Sequence, residues 1–251
     1  MPFLAFEGVS YRAGDRNVLD GVSLSVERGE TLVLLGRSGS GKTTALRLIN
    51  RLLMPTSGAI YLDGKNIAQL DLIGLRRKTG YVIQELGLLP HWTVEQNVAL
   101  VPRLLEWPEE RQRARAQELL KQVGLPGEDF ARRKPHQLSG GQRQRVAVAR
   151  ALAAEPDLLL FDEPFGALDP VTRHEMQQQL MELTKRYNVA VVFVTHDVTE
   201  ALILATHIAV LGNGTLECVV TPQEFARSNT PVARAFLDTL PPATLTRGAA
   251  V

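Results

Sequence analysis

The segment Gly36-Arg-Ser-Gly-Ser-Gly-Lys-Thr43 fits G-x-x-x-x-G-K-[ST] and constrains this chain more than any other. It follows the unbroken apolar run Thr31 to Leu35. It precedes Ala45, Leu46, Ile49, Leu52 and Leu53 at helical spacing, with Pro55 as the stop signal. A buried strand, a glycine turn and an amphipathic helix, in that order, converge several backbone N–H groups and a helix N-terminus on one anion. Gly36, Arg37, Ser38, Gly39, Ser40, Gly41, Lys42, Thr43 and Thr44 are therefore expected to cradle the phosphates of ATP. Lys42 is placed to reach the β- and γ-phosphates, and Thr43 to offer its hydroxyl to Mg²⁺.

Two further apolar runs, Leu158 to Phe161 and Val189 to Val194, match Thr31 to Leu35 in character. Continuous runs suit parallel strands covered on both faces. Val22, Leu24 and Val26 alternate instead, as in a half-buried antiparallel strand. The expected class is α/β, with a parallel core and an antiparallel N-terminal flank in a mixed sheet. From about Pro90 to Ala154 helical patterns replace strand signals. Glu109 to Leu125 carries Ala116, Leu119, Leu120 and Val123 on one face, and its arginines are expected on a solvated one. The organisation expected is a single domain over 1–238, with a helical insertion at about 88–155 and a poorly ordered tail at 239–251.

Two of the later strands end in chemistry. Asp162 closes the run Leu158 to Phe161, where a carboxylate can hold Mg²⁺ through water, and Glu163 is placed to polarise an attacking water. Two acids capping a strand would explain either residue alone, but the pair less well. His196 ends the strand that includes Val189 to Val194, where it can bond a γ-phosphate across the same crevice. His91, His136, His174 and His207 have no metal-ligand spacing.

Bulk properties remove several function classes. A net charge of +1 over 251 residues gives no electrostatic case for nucleic acid or an anionic membrane surface. Cys218, the single cysteine, cannot form an internal disulfide, which points to a reducing compartment, and it reads as a small apolar strand residue. No apolar run approaches the roughly 18 residues that span a bilayer, and no signal peptide is evident at the start.

Leu138-Ser-Gly-Gly-Gln142 supplies a second glycine-rich helix start, about a hundred residues after the first. Kinases, GTPases and motors share the first motif but not this one. With the P-loop and Phe161 to Asp169, "FDEPFGALD", it resembles the nucleotide-binding subunit of ABC transporters over nearly the whole chain. The resemblance implies a RecA-like P-loop NTPase core and ATP hydrolysis coupled to solute transport. It implies a head-to-tail dimer in which Ser139, Gly140, Gly141 and Gln142 cap the γ-phosphate of the partner's ATP. It also implies Tyr11 stacked on adenine, Gln84 touching Mg²⁺, Asp169 crossing the dimer interface, Glu163 as general base and His196 as the γ-phosphate switch. A strand-end aromatic explains Tyr11 as well.

Tyr81 to Trp107 and Asp162 to Gln177 look like the ATPase of importers for osmoprotectants such as glycine betaine, choline or carnitine. That likeness implies integral-membrane permease subunits as partners, an extracytoplasmic substrate-binding protein acting indirectly, and a peripheral position on the cytoplasmic face of the membrane. No regulatory CBS pair and no nucleic-acid partner are expected. The alternatives are an importer ATPase for another small solute, such as an amino acid or phosphonate, and a soluble ABC ATPase uncoupled from transport. The chromosome-associated ATPases of the latter class need a long coiled coil between the two glycine motifs, and no sustained heptads occur here.

Overall fold

The computed structural model describes residues 2–166 and 168–240. In chain order its main elements begin with β1 (Leu4–Ala13), β2 (Arg16–Val26), β3 (Thr31–Leu35), α1 (Lys42–Ile49), β4 (Ser57–Leu62) and β5 (Lys65–Asn66). There follow α2 (Leu72–Arg77), β6 (Thr79–Val82), α3 (Val94–Val98), α4 (Leu100–Leu104), α5 (Glu109–Gln122), α6 (Gly127–Phe130), α7 (Gly140–Leu152), β7 (Leu158–Asp162) and α8 (Pro170–Tyr187). The chain closes with β8 (Ala190–Thr195), α9 (Val198–Leu204), β9 (His207–Gly212), β10 (Thr215–Val220), α10 (Pro222–Arg227) and α11 (Pro231–Leu237). Contacts divide it into two compact units, Met1–Asp71 with Ala190–Val251, and Leu72–Val189.

The first unit holds an antiparallel sheet in the order β2-β1-β4-β5. Leu4 pairs with Val26 and Phe6 with Leu24, so the alternating apolar positions of β2 meet those of β1 on the buried face. The same unit holds a parallel trio with β3 between β8 and β9, and β10 runs antiparallel on β9. β8 is buried along its whole length, as a strand without alternation should be.

In the second unit β6 and β7 pair in parallel, Gly80 beside Leu159 and Val82 beside Phe161. Between Val94 and Leu152 the described regular elements are all helical. α7 packs against α3, α5, α8 and β6 and forms the axis of this unit. Val146, Ala147, Val148 and Ala149 are all buried, because the helix is covered on several sides.

Two local expectations change. The helix after the glycine loop was expected to run to Leu53, but it stops at Ile49. Arg51 takes a left-handed φ of 48°, and the Leu52 and Leu53 amides turn back to the Arg47 carbonyl at 2.8 and 3.2 Å. Leu52 consequently points outward, 49% exposed. The arginines of α5 do not form one solvated face either. Arg115 is buried, donating to the Leu152 carbonyl at 3.2 Å and to Glu118 at 2.9 Å. Burial alone would lower its pKa, but Glu118 and Tyr187 outweigh that and raise it. Residues 241–251, most of the expected tail, lie outside the described residues. Among the described residues no helix is long and apolar enough to cross a membrane.

Candidate functional site

The glycine loop sits where sequence spacing puts it, between β3 and α1. Gly39 and Gly41 take φ of 81° and 102°, which L side chains avoid, and this lets consecutive amides turn inward. Gly36 is required for a different reason. A Cβ there would lie 2.5 Å from the Leu211 carbonyl of β9. Lys42 is 4% exposed, and its Nζ donates to the Gly36 carbonyl at 2.7 Å and the Arg37 carbonyl at 3.0 Å. The loop therefore wraps a positive charge, and α1 adds its N-terminus at the same place.

Strand pairing brings two more expected residues of this unit toward the loop, one through a parallel pair and one through an antiparallel pair. Leu35 pairs with Thr195, so Gly36 and His196 leave adjacent strand ends side by side. Tyr11 pairs with Leu19, whose side chain lies against Gly41.

The second unit gathers the carboxylates and Gln84. Val82 pairs with Phe161, so the residues after β6 and the end of β7 emerge together. Asp162 is buried, and Glu163 is half-buried with a left-handed φ of 46°. Gln84 is exposed and opens a tight turn in which Leu86 and Gly87 take φ of 61° and 55°. Arg150 of α7 holds that turn, donating to the Leu86 carbonyl and to the Gly87 carbonyl at 2.6 Å. Burial lowers the Arg150 pKa.

Ser139 is the N-cap of α7 in a reciprocal capping box. Its Oγ accepts from the Gln142 amide at 3.2 Å, while its own amide donates to Gln142 Oε1 at 3.0 Å. Asp169 caps α8, accepting from the Val171 and Thr172 amides at 3.2 and 3.0 Å. The bonds from Thr172 hold its carboxyl below the usual carboxylate range. These two caps belong together, because a Cβ at Gly141 would lie 2.5 Å from Thr172 Cγ2. A Cβ at Gly140 would instead meet open space.

The glycines thus separate by substitution. Gly41→Ala puts a side chain at φ 102° and 2.8 Å from the Val18 carbonyl. It is expected to lower the unfolding free energy by about 2–3 kcal/mol in urea titration. Gly140→Ala should stay within about 0.5 kcal/mol of the parent. Any effect of Gly140→Ala on assembly would then report on a ligand approaching the helix end.

Three supporting residues escape sequence reasoning. Arg115 falls among the arginines expected on a solvated face, and Arg150 carries no mark of its role in the sequence. Asn97, fully buried, accepts from the Leu89 amide at 2.7 Å and donates to the Leu89 carbonyl at 3.1 Å and the Thr93 carbonyl at 3.0 Å. It orders the loop from Leu89 to Thr93. Only the capping residue Thr93 and the Gln96 three positions later were a visible signal there.

Residues 19–166 match the model of the ABC transporter family. Among characterised proteins, the glycine betaine/carnitine/choline transport ATP-binding protein of Bacillus subtilis is 51% identical over 86% of this chain and 56% of its own length. The choline transport ATP-binding protein of the same organism is 50% identical over 90% of this chain and 59% of its own. The osmoprotectant import ATP-binding protein of Salmonella typhimurium is 47% identical over 82% and 54%. This chain thus spans little more than half the length of those relatives. An ATP-binding cassette solved as a dimer in a post-hydrolysis state with ADP and Pi superposes with a TM-score of 0.77 at 38% identity, over 87% of this chain and 98% of that one. The glycine loop, the capped Ser139 helix and the strand-end acids fall within a likeness that runs through sequence and fold alike, and the chain belongs to the ABC transporter family.

Proposed function

We propose that this chain binds and hydrolyses ATP as the motor subunit of an importer for a quaternary-amine osmoprotectant such as glycine betaine, choline or carnitine. The observation that carries the ATPase reading is Lys42, buried within a left-handed glycine loop and held on two of its carbonyls. The cargo reading rests on the relatives, which are transport ATP-binding proteins for glycine betaine, carnitine and choline.

In this reading Gly36 to Thr44 enclose the phosphates, Tyr11 stacks on the base, and His196 contacts the γ-phosphate. Mg²⁺ would be held by Thr43, Gln84 and Asp162 and would neutralise charge on the β- and γ-oxygens. Those donors fit the ion. One carboxylate, a hydroxyl and an amide oxygen leave room for the phosphate and water oxygens with which Mg²⁺ completes its shell. Glu163 takes the proton of the attacking water. Ser139, Gly140, Gly141 and Gln142 close over the nucleotide of a second, head-to-tail copy, and Asp169 lies at that interface. The open space beside Gly140, in the first turn of α7, supports this capping role. ATP favours the closed dimer, hydrolysis releases it, and permease subunits follow. The subunit then sits peripherally on the cytoplasmic face of the membrane, bound through its permease.

Mixing Lys42→Ala chains with Ser139→Arg chains tests the shared site. One composite site keeps intact motifs and the other carries both lesions. Phosphate release from the mixture should recover to a substantial fraction of the parent rate when neither variant turns over alone. No recovery at any mixing ratio would show that each chain works on its own nucleotide.

A further inference from the structure

We infer that Thr195 and Glu200 are positioning residues for His196, fixing it beside the glycine loop through a buried hydrogen bond. Thr195 is 2% exposed and Glu200 4%. Thr195 Oγ1 donates to Glu200 Oε2 at 2.6 Å, the length of a charge-assisted hydroxyl–carboxylate bond. The same Oγ1 accepts from the Asp197 amide at 2.9 Å. A hydroxyl has a single proton, so its donation is committed to Glu200, while one of its two lone pairs accepts from Asp197.

The peptide units on either side of His196 are thereby tied down. Thr195 is held in β8, level with Leu35. Asp197 is held by the hydroxyl and caps α9, its Oδ1 accepting from the Thr199 amide at 2.7 Å. Glu200, in the first turn of α9, joins the helix back to the strand end. His196 is the exposed residue between these anchors.

An apolar pair would fill the same space without desolvating a carboxylate. A hydroxyl–carboxylate bond is directional where an apolar contact is not, so what the polar pair adds is orientation of the turn. The residue whose placement depends on that turn is His196.

The inference rests on His196 being the γ-phosphate contact, and a double-mutant cycle on ATP turnover separates the two. His196→Ala alone tests the contact; unchanged turnover would remove that assignment and this inference with it. Given a loss there, Thr195→Val should lower kcat by roughly ten- to a hundredfold, the cost of misplacing a group by an ångström. KM for ATP should stay within about twofold, and Thr195→Ser should restore kcat. In the His196→Ala background Thr195→Val should add no further loss. An equal loss with and without His196, or full activity of Thr195→Val, would overturn the positioning role while leaving His196 intact. Should Thr195→Val fail to fold, Glu200→Gln, which keeps the side-chain shape, runs the same cycle under the same criteria.

Discussion

Glu163→Gln should stop ATP turnover by about a thousandfold or more while leaving an ATP-bound dimer assembled. The amide has the shape of the carboxylate but cannot accept a proton, and positioned general bases contribute roughly 10²- to 10⁴-fold. The backbone gives a reason to expect intact folding. Glu163 sits at a φ of 46°, a conformation glutamine adopts at a cost similar to glutamate, whereas a β-branched residue would strain it. In the proposed cycle, binding energy closes the dimer and hydrolysis reopens it, so removing hydrolysis moves the population to the closed form. Light scattering at saturating Mg-ATP should read twice the monomer mass, falling back when nucleotide is removed. A variant that stays monomeric there contradicts the shared-nucleotide arrangement. One that still turns over contradicts Glu163 as base.

Lys42→Ala is the second large effect. The ammonium is nearly buried and already bonded to the Gly36 and Arg37 carbonyls. It is therefore held inside the loop before any phosphate arrives and contributes little ordering cost on binding. Hydrogen bonds to charged groups are worth about 1.5–3 kcal/mol each. Losing those to the β- and γ-phosphates should weaken Mg-ATP binding about a hundredfold or more by titration calorimetry. Lys42→Arg should not restore affinity, because a planar guanidinium does not fit where two loop carbonyls close around a point charge. Parent affinity in Lys42→Ala would withdraw the phosphate cradle itself.

The parts legible in sequence share one property: a short stretch of chain decides them. The loop at Gly36–Thr43 depends on glycines that tolerate positive φ, on a lysine at fixed spacing and on the apolar pattern either side. The Ser139–Gln142 box closes over three residues. β8 shows its burial by an unbroken run of apolar residues. The strand-end positions of Asp162 and His196 follow from where two such runs stop.

The misreadings concern residues whose environment comes from elsewhere in the chain. Leu52 kept helical spacing, yet a left-handed Arg51 ended the helix and turned it outward. Arg115 looks like any arginine on an amphipathic helix. It is buried because the last carbonyls of α7 arrive 37 and 38 residues later in the chain to receive it.

By itself, then, the sequence determined the glycine loop, the glycine-rich start of α7 and the strand types, since dihedral preference and periodicity act over a few residues. Tertiary structure alone decided that Arg150 grips the turn after Gln84, 63 and 64 residues away. A charged side chain carries no local mark of which distant carbonyl or hydroxyl will repay its desolvation, and only the packed fold supplies that partner.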